Sequence, residues 1–465
     1  MSGYRSIVQA KRSSSARSVS PWLRLLVHRH DQVEPWDLSD SLLGYQQADR
    51  QGPPFSSWGA TLKLPSRSRL LAALEGLSDD DWVEVSVSLG GPQGDFLPLQ
   101  LGPLDSIRAK MQVAGGTEEW VLSLRGRSWA KVLTDTTVST WQRLSSAGLD
   151  AGSIFSPEEA NEISSRLAAV ASSGERTADL LADLLTYILR FQWALPPSLL
   201  ARGFGTGRTL ADVMWFLGPP AVSTGGASEV DGVVWRGLSM IGGVRGTLWQ
   251  LLSSFQNDPA LVELWPGWTL EEASCRLRPV LIFRKRPFSA EDWGNLSRQQ
   301  IALDRVSALD LGKGGLERFN VALVSPAIAG ADFESAVLAT ADGPCFVSTE
   351  EQRGILRHGT RGWFLTDSQS PPDLDPLEQA QRLTRWLVAA YLETPDLLNG
   401  SIEVVGQALP PTVLGNRVAL RDTSGRDLLE FYCEGLDTSF EVGDDGERTW
   451  QQVLSVTRGR ALENA

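Results

Sequence analysis

Alternation of apolar and polar residues marks the stretch Trp82-Val83-Glu84-Val85-Ser86-Val87-Ser88. A period of two places successive side chains on opposite faces of a β-strand, so the stretch predicts a strand with one buried face. The same pattern occurs in Trp22–His28 and in Trp120–Arg127, and Ser66–Leu74 between them has the spacing of a short helix. Residues 21–140 are therefore predicted to form a small antiparallel β domain with one helix.

The pattern becomes helical further along the chain. Ser156 and Pro157 suit the start of one helix, and a second is predicted over Thr177–Trp193, ahead of Pro196-Pro197. A Gly-rich stretch, Gly218–Gly232, then interrupts the chain. Residues 141–230 are predicted to be a helical insertion.

The next two regions mix helix and strand. Residues 231–330 form a predicted mixed α/β middle region, with a helix at Gly246–Phe255 and strands at Arg278–Phe288 and Glu317–Val324. Residues 331–400 combine a segment without a recognisable pattern, up to about residue 362, with an amphipathic helix predicted over Asp375–Glu393.

Strand patterns return at the end of the chain. Residues 401–465 are predicted to be a second small β domain, with a tight turn at Asp444–Gly446. Its predicted strands are Ser401–Val405, Arg417–Leu420, Leu429–Leu436, Thr438–Val442 and Trp450–Val456.

Composition limits the function. The 465 residues carry a formal net charge of −13, which argues against a general DNA-binding surface, because phosphate neutralisation needs clustered Lys and Arg. Seventeen Trp against five Tyr indicate large apolar rings buried between elements or subunits. Cys275, Cys345 and Cys433 are far apart, which indicates neither a disulfide framework nor a zinc site and fits a reducing compartment.

The N-terminal residues 1–20 form a basic, Ser-rich arm that contains four cations and no acid. No apolar core follows, so a signal peptide is not predicted, and no stretch has the roughly 20 apolar residues of a membrane span. The arm is interpreted either as a frayed terminus or as a segment that orders on a neighbouring subunit or an acidic surface.

Two Gly-rich segments have some of the composition of phosphate-binding loops. Gly203–Arg208 lacks the Walker spacing and its Lys-Ser/Thr ending, so it is interpreted as a flexible loop. Leu311–Gly315 fails in the same way and is interpreted as a turn. No cofactor is therefore expected.

The candidate metal and catalytic residues are equally sparse. His28 and His30 alternate on one strand, but His358 is distant in sequence and two further metal ligands are not evident. Asp79–Asp81 lacks the spacing of a calcium loop and is interpreted as solvated. No nucleophile has an evident base, although abundant Asp and Glu leave paired carboxylates open at this point. The sequence therefore assigns no catalytic, cofactor-binding or metal-ligating residue, and no enzymatic activity is expected.

Several short segments nevertheless follow one another in a specific order. They are Leu97–Arg108, Leu124–Leu133, Leu248–Leu252, Asn257–Leu264, Leu281–Phe288, Thr394–Gly400, Phe431–Leu436 and Leu454–Gly459. Taken together, they resemble the central hub family of contractile phage-tail baseplates, over roughly residues 20–460. The departures are Leu409-Pro410-Pro411, the helical insert after Trp141 and the irregular segment 330–362.

The resemblance implies an α+β, mainly β fold: two small tube-like antiparallel β-barrel domains with helical or mixed insertions, in a trimeric ring. Three such subunits would present six similar domains to a six-fold tail tube and three-fold symmetry to a central spike. The implied partners are two further copies of the chain, tail tube or tube-initiator proteins, a trimeric spike and baseplate wedge proteins.

The implied location is the tail baseplate of a virion assembled in the host cytoplasm, with DNA only in transit and no membrane insertion. From this picture we expect the helices to lie outside the ring and the lumen to be lined by acidic or neutral polar side chains. A peripheral tail-tip adhesin or carbohydrate-binding module, for which exposed Trp would be the expected platform, is the alternative.

Overall fold

A computed structural model of the chain describes residues 20–53, 55–114, 117–137, 185, 189, 193–201, 215–216, 246–253, 262–271, 276–313, 320–325, 345–347, 359, 361–366, 384–385, 387–392 and 397–462. The fold is mainly β, with antiparallel sheets, as the sequence predicts. None of the helices within these ranges has the length and apolar content needed to cross a bilayer. Most of the basic arm, residues 1–19, lies outside them.

The N-terminal module is an antiparallel sheet formed by residues 22–127. Its strands hydrogen-bond in the order β3-β4-β7-β6-β5-β1-β2. The three alternating segments of the sequence coincide with β1, β5 and most of β7, which confirms those predictions. The strands are β1 (Trp22–His28), β2 (Trp36–Asp37), β3 (Leu42–Arg50), β4 (Ser56–Leu64), β5 (Trp82–Ser88), β6 (Leu97–Ala114) and β7 (Thr117–Arg127).

The sheet of this module curls around one hydrophobic core, which includes Leu25, Val85 and Leu122. Helix α1 (Arg67–Gly76) covers it with Leu70 and Ala73. The helix begins after Ser66, whose Oγ accepts a hydrogen bond from the Arg69 amide at 3.3 Å. A side-chain acceptor at this position satisfies one of the unpaired amides of the first turn. The predicted helix is confirmed.

Shorter elements follow the N-terminal module. Strands β9 and β10 form an antiparallel hairpin, with β8 parallel to β10. The helix predicted at Gly246–Phe255 is present as α4, and the predicted strand at Arg278–Phe288 overlaps β10. Of the helix predicted over Thr177–Trp193, only the helical, buried Leu185 and Leu189 and the non-helical Trp193 lie in the described residues. The elements are α2 (Ala130–Asp135), α3 (Pro197–Ala201), β8 (Trp215–Phe216), α4 (Leu248–Ser253), β9 (Val262–Glu271), β10 (Arg276–Lys285) and α5 (Ala290–Asn295).

The C-terminal module takes strands from two separate parts of the chain. Its order is β12-β16-β19-β18-β17-β11, and β11 pairs with β17 in parallel. Two of its strands therefore come from residues 298–312, which the sequence analysis placed in the middle region. The strands are β11 (Arg298–Ala302), β12 (Val306–Gly312), β16 (Leu398–Val405), β17 (Arg417–Arg421), β18 (Asp427–Val442) and β19 (Arg448–Ala461).

Between β12 and β16 the chain contributes a separate three-stranded sheet of β13 (Val321–Ser325), β14 (Cys345–Val347) and β15 (Gly362–Thr366). Strand β13 overlaps the predicted strand at Glu317–Val324. Within the helix expected over Asp375–Glu393, the described residues include a π-helical turn, Val388–Leu392. Thr384, Arg385 and Leu387 of that expected helix are also described, and all three are helical; its remaining residues lie outside the described residues.

Strands β18 and β19 form a long hairpin that spans both modules. Leu454 and Phe431 lie in the C-terminal core, whereas Phe440 and Trp450, nearer the tip, are buried in the N-terminal core. The predicted tight turn is confirmed: the Gly443 amide donates to the Glu447 carbonyl at 2.7 Å. Truncating a buried aromatic residue costs roughly 3–5 kcal/mol, so the two aromatic rings tie the modules together strongly.

One continuous sheet results. Residues Gly435–Glu441 of β18 pair antiparallel with Gly44–Arg50 of β3, and we call this ladder the junction. Residues 429–436 and 438–442, predicted as separate strands, belong to one strand, β18. Asp437, the expected break, lies inside the junction opposite Ala48.

The two modules repeat one strand order. The path β3-β4-β7-β6-β5 in the first corresponds to β12-β16-β19-β18-β17 in the second, in the same chain order. A helical segment precedes the last strand of each path: α1 before β5, and the 3-10 turn Pro411–Val413 before β17. The three-stranded sheet of β13 to β15 is inserted where the first module has the short turn between β3 and β4.

The ends of both paths also match. A 3-10 turn joins β2 to β3 at Ser39–Ser41, and another joins β11 to β12 at Leu303–Arg305. The first module has one additional strand, β1, between β2 and β5, which explains why β11 meets β17 in parallel. In each module this 3-10 turn connects the two strands at opposite ends of the sheet. The described strand pairings nevertheless close neither module into a barrel.

Candidate functional site

Several buried polar side chains lie along the junction. Tyr45, Gln47 and Asp49 alternate along β3 and face inward. The Tyr45 hydroxyl donates to Gln47 Oε1 at 2.5 Å, and Gln47 Nε2 donates to Asp49 Oδ2 at 2.7 Å and to the Leu99 carbonyl at 3.1 Å. This chain of bonds links β3 to β6 through the core.

Asp49 is the chemically unusual member of that chain. Its side chain is buried, and burial raises the pKa of Asp49 from 3.8 to about 7, despite the hydrogen bond from Gln47 and the nearby Arg50. Burial disfavours the charged form of a carboxyl group, which is the physical cause of the increase. The junction therefore contains a carboxyl group that titrates near neutral pH.

Arg50 and Asp437 form the ion pair of the junction. Arg50 NH2 lies 2.7 Å from both Asp437 carboxylate oxygens, and each side chain is about two-fifths exposed. Exposed ion pairs contribute roughly 0–1 kcal/mol. The pair fixes the register of β3 against β18 more than it stabilises the fold.

A buried ion pair inside the β9–β10 hairpin also contacts the C-terminal module. Arg284 Nε donates to Glu263 Oε1 at 2.5 Å, and the Tyr432 hydroxyl donates to Glu263 Oε2 at 2.6 Å. Burial lowers the pKa of the Arg284 guanidinium, but the Glu263 carboxylate outweighs it, so the pKa lies above its ordinary value. Arg284 also donates to the Gly415 carbonyl at 2.5 Å, which connects the hairpin to the C-terminal module.

A partly enclosed cavity of about 220 Å³ lies between the junction and this hairpin. Asp49, Phe55, Trp265, Arg284 and Leu414 are among its lining residues. The lining mixes aromatic and charged groups, and the charged groups already have protein partners. The described lining therefore offers no unpaired charge to a ligand.

A larger concave surface, about 890 Å³ in volume, follows the outer side of the junction across β4, β3 and β18. We call it the concave face. Its outward side chains are mostly small or neutral: Gln46, Ser57, Thr61, Ser123, Ser439 and Gln451. The charges beside them have both signs, with Arg125 and Arg127 against Asp105, Asp437 and Glu441. A surface with few unbalanced cations holds phosphate weakly.

The tryptophans fill cores between elements. Trp58, Trp82, Trp129, Trp265 and Trp450 are all buried within the chain. Trp129, which belongs to one of the resemblance segments, donates from Nε1 to the Gly267 carbonyl at 2.8 Å and so joins α2 to β9. No Trp belongs to the strongly exposed large hydrophobic residues of the described chain.

The two N-terminal histidines do not share a site. His28 is buried, with its ring nitrogens 2.9 Å from Ser198 Oγ and 3.1 Å from Glu84 Oε2, whereas His30 follows the strand and lies near the Asp80 carbonyl. The prediction that both lie on one strand is wrong, because β1 ends at His28. Within the described residues no three His, Cys, Asp or Glu side chains form a cluster able to hold a metal.

The Ser198–His28–Glu84 contacts have the connectivity of a hydrolase triad, which the sequence analysis did not detect because the three residues are far apart in the chain. Ser198 is only 1% exposed, however, and lines neither cavity described above. The contacts fasten α3 to the N-terminal sheet, and a substrate carbonyl has no access to the hydroxyl.

The acidic loop Asp79–Asp81 is only partly solvated. Asp81 is buried and accepts the Ser78 amide at 2.8 Å, and burial raises the pKa of its carboxyl group. The expectation of a solvated loop is wrong at Asp81, because this end of the loop packs against β6: the Leu104 amide donates to the Asp81 carbonyl at 2.8 Å. The second Gly-rich segment also differs from the turn expected, since Leu311 and Gly312 are the last residues of β12.

A sequence signal for the repeat exists and was missed. Val121–Arg127 in β7 reads Val-Leu-Ser-Leu-Arg-Gly-Arg, and Val453–Arg460 in β19 differs only by Val for Leu and by the inserted Thr457. The insertion coincides with a register shift in the β18–β19 ladder and with positive φ at Arg458. Both glycines of the motif lie against an aromatic ring: Gly126 against Trp58, Gly459 against Phe431.

No protein-family profile matches this sequence, and no curated protein matches it. Among solved structures, a tail protein from Neisseria meningitidis aligns over 94% of this chain and 96% of its own, with 14% identity and a TM-score of 0.44. A prophage MuSo2 tail protein from Shewanella oneidensis aligns over 94% and 98%, with 13% identity and a TM-score of 0.45. A Francisella PdpA-VgrG complex aligns over 99% of this chain and 57% of that chain, with 7% identity and a TM-score of 0.43. These values assign neither a family nor a function to the chain.

Proposed function

We propose that this chain is a structural subunit of the baseplate hub of a contractile phage tail or tail-like machine. Three copies form a ring on the tail axis, between the six-fold tube and a three-fold spike. The observation that carries the proposal is the repeated module: two sheets with one strand order, joined edge to edge in one chain. Three chains then supply six similar modules, which a six-fold tube needs, while the assembly keeps true three-fold symmetry.

The concave face suits the wall of an axial channel. It lies across the junction, so it continues from one module to the next, and its outward side chains are mostly neutral and polar. DNA in transit requires a wall to which phosphates do not adhere, since each Lys or Arg contact adds salt-sensitive affinity. The role is structural and non-catalytic.

The other partners follow from what this ring leaves uncovered. We assign the helical region between about residues 156 and 270, and the helix expected over Asp375–Glu393, to contacts with wedge or sheath-side proteins outside the ring. The basic N-terminal arm, with Arg5, Lys11, Arg12 and Arg17, docks on an acidic neighbouring protein. The division into 21–140, 141–230, 231–330, 331–400 and 401–465 is retained as a proposal, with β11 and β12 added to the second β domain.

The oligomeric state and symmetry test the proposal. The purified full-length chain should have the mass of a trimer by analytical ultracentrifugation, and single-particle imaging should show a ring with six similar lobes around a channel. The ring should not retain duplex DNA at physiological salt. A monomer at every concentration, or a ring whose inner wall is dominated by Lys and Arg, would contradict the proposal.

A further inference from the structure

The junction inside the chain is a template for a contact between chains. In the junction, β3 of the first module pairs with the outer part of β18 in the second. By the repeated strand order, β12 corresponds to β3, and the outer part of β6 corresponds to the outer part of β18. Each chain therefore contains a counterpart of both strands of the junction: β12 for β3, and the outer part of β6 for the outer part of β18.

Both of these additional edges are unpaired in the described part of the chain. Strand β12 has a ladder only to β16, and β6 beyond Leu104 has a ladder only to β7. An open strand edge presents a row of amide and carbonyl groups that favours pairing with another strand. The two edges belong to different modules, so a contact between them is head to tail and can close a ring.

We propose that β12 of one copy pairs antiparallel with residues 108–114 of β6 in the next copy. The inference rests on the proposed ring and names its subunit interface. The sheet would then continue around the ring through junctions of one kind, half of them within chains and half between chains.

Irregularities shared by the two modules fix the register on the β12 side. The β3–β4 ladder shifts between Leu42 and Gly44, and the β12–β16 ladder shifts between Val306 and Ala308. Aligning the two shifts makes Ala308 the counterpart of Gly44. Leu311 is then the counterpart of Gln47.

The shared motif fixes the register on the β6 side. Leu122 of β7 corresponds to Leu454 of β19, and their ladder partners are Ala109 and Leu436. Two residues further along, Met111 corresponds to Thr438. Since Thr438 pairs with Gln47 in the junction, Met111 should lie opposite Leu311 of the next copy.

The side chains at these positions suit each other. Met111 is 50% exposed, one of four strongly exposed large apolar residues in the described chain, and Leu311 only partly packs on the C-terminal core. Directly opposed apolar side chains stabilise a ladder. Exposed Lys110 would be the diagonal neighbour of exposed Asp310, so the charges are complementary. The register thus gives the exposed Met111 a covered position.

Disulfide trapping tests this register. In a background with Cys275→Ser and Cys345→Ser, the pair Met111→Cys and Leu311→Cys should give covalent dimers and trimers on oxidation, with nothing larger. The matched control pairs Met111→Cys with Ala308→Cys, which lies on the other face and roughly 10 Å along the strand. We expect the control to crosslink at least tenfold more slowly.

Interface substitution gives an independent reading. Met111→Asp should weaken trimer formation at least tenfold in ultracentrifugation, whereas Leu71→Asp, at a similarly exposed apolar residue on α1, should not. Circular dichroism melting would confirm that both variants fold. A trimer that neither crosslinks at 111 and 311 nor responds to Met111→Asp overturns this interface but leaves the proposed ring. If the wild-type chain is monomeric and the variant with Met111→Cys and Leu311→Cys never crosslinks, both the interface and the proposed ring are overturned.

Discussion

Asp49→Asn tests whether the junction contains a carboxyl group that is protonated in the folded protein. The folded-state pKa of about 7 lies above the ordinary 3.8, so the folded state binds the proton more tightly than the unfolded chain. This contribution to stability is fully present below pH 3.8 and is lost as the pH rises through about 7. The whole change in pKa corresponds to roughly 4 kcal/mol.

Between pH 5 and pH 8 the Asp49 contribution to the free energy of unfolding should fall by about 2–3 kcal/mol. An Asn side chain can still accept the bond from Gln47 and does not titrate, so Asp49→Asn should remove this part of the pH dependence. The assay is urea denaturation followed by tryptophan fluorescence, at both pH values, for the wild-type chain and the variant. Comparing the two chains cancels the other titrating groups.

Glu441→Gln is the matched control, because it removes an exposed carboxylate from the same ladder. It should leave the wild-type pH dependence in place. If Asp49→Asn retains the wild-type difference between pH 5 and pH 8 to within about 0.5 kcal/mol, the argument from burial is refuted.

Three further predictions concern the C-terminal module and its neighbouring hairpin. Glu263→Gln leaves the buried Arg284 without its carboxylate and should lower the free energy of unfolding in urea by about 3–5 kcal/mol. Adding Arg284→Met should recover part of that loss, and a double variant as unstable as the single one would contradict the prediction. Gly459→Ala drives a Cβ into the aromatic ring of the neighbouring strand and should cost about 1–3 kcal/mol, unlike Gly294→Ala, where nothing lies within 4 Å. Burial raises the pKa of the Cys433 thiol to about 12, so Cys433 should resist alkylation at pH 8 in the native chain and react in urea. Peptide mass spectrometry measures alkylation in both states, and equal rates would refute the burial of this thiol.

The sequence alone determined the local structure where one pattern dominated. Alternation in Trp82–Ser88 predicts a strand because every second residue can be buried on the inward face. Ser66 caps its helix through a hydrogen bond to an amide only three residues further along the chain. Tight turns such as Asp444–Gly446 are equally local. These features depend on neighbours in the chain, so one sequence is sufficient to find them.

Tertiary structure decided everything that joins distant segments. Strands β11 and β12 are short and weakly patterned, and they become strands because Ile301 and Val306 complete the C-terminal core. Asp437 reads as a break between strands, yet it lies inside β18 because β3 offers it a ladder partner and Arg50 offers an ion pair. Asp81 reads as solvated, yet it is buried where its loop packs against β6.

The candidate site divides in the same way. The residues of the resemblance segments, including Trp129 and the Arg-Gly-Arg motifs, are visible in the sequence, but their partners are not. Strand order is set by which edges meet after the chain has crossed between modules, and the interactions that fix it join residues hundreds of positions apart. Cross-strand pairing stabilises a sheet only once both strands are in place, so the repeated order and the junction became visible only in the folded chain.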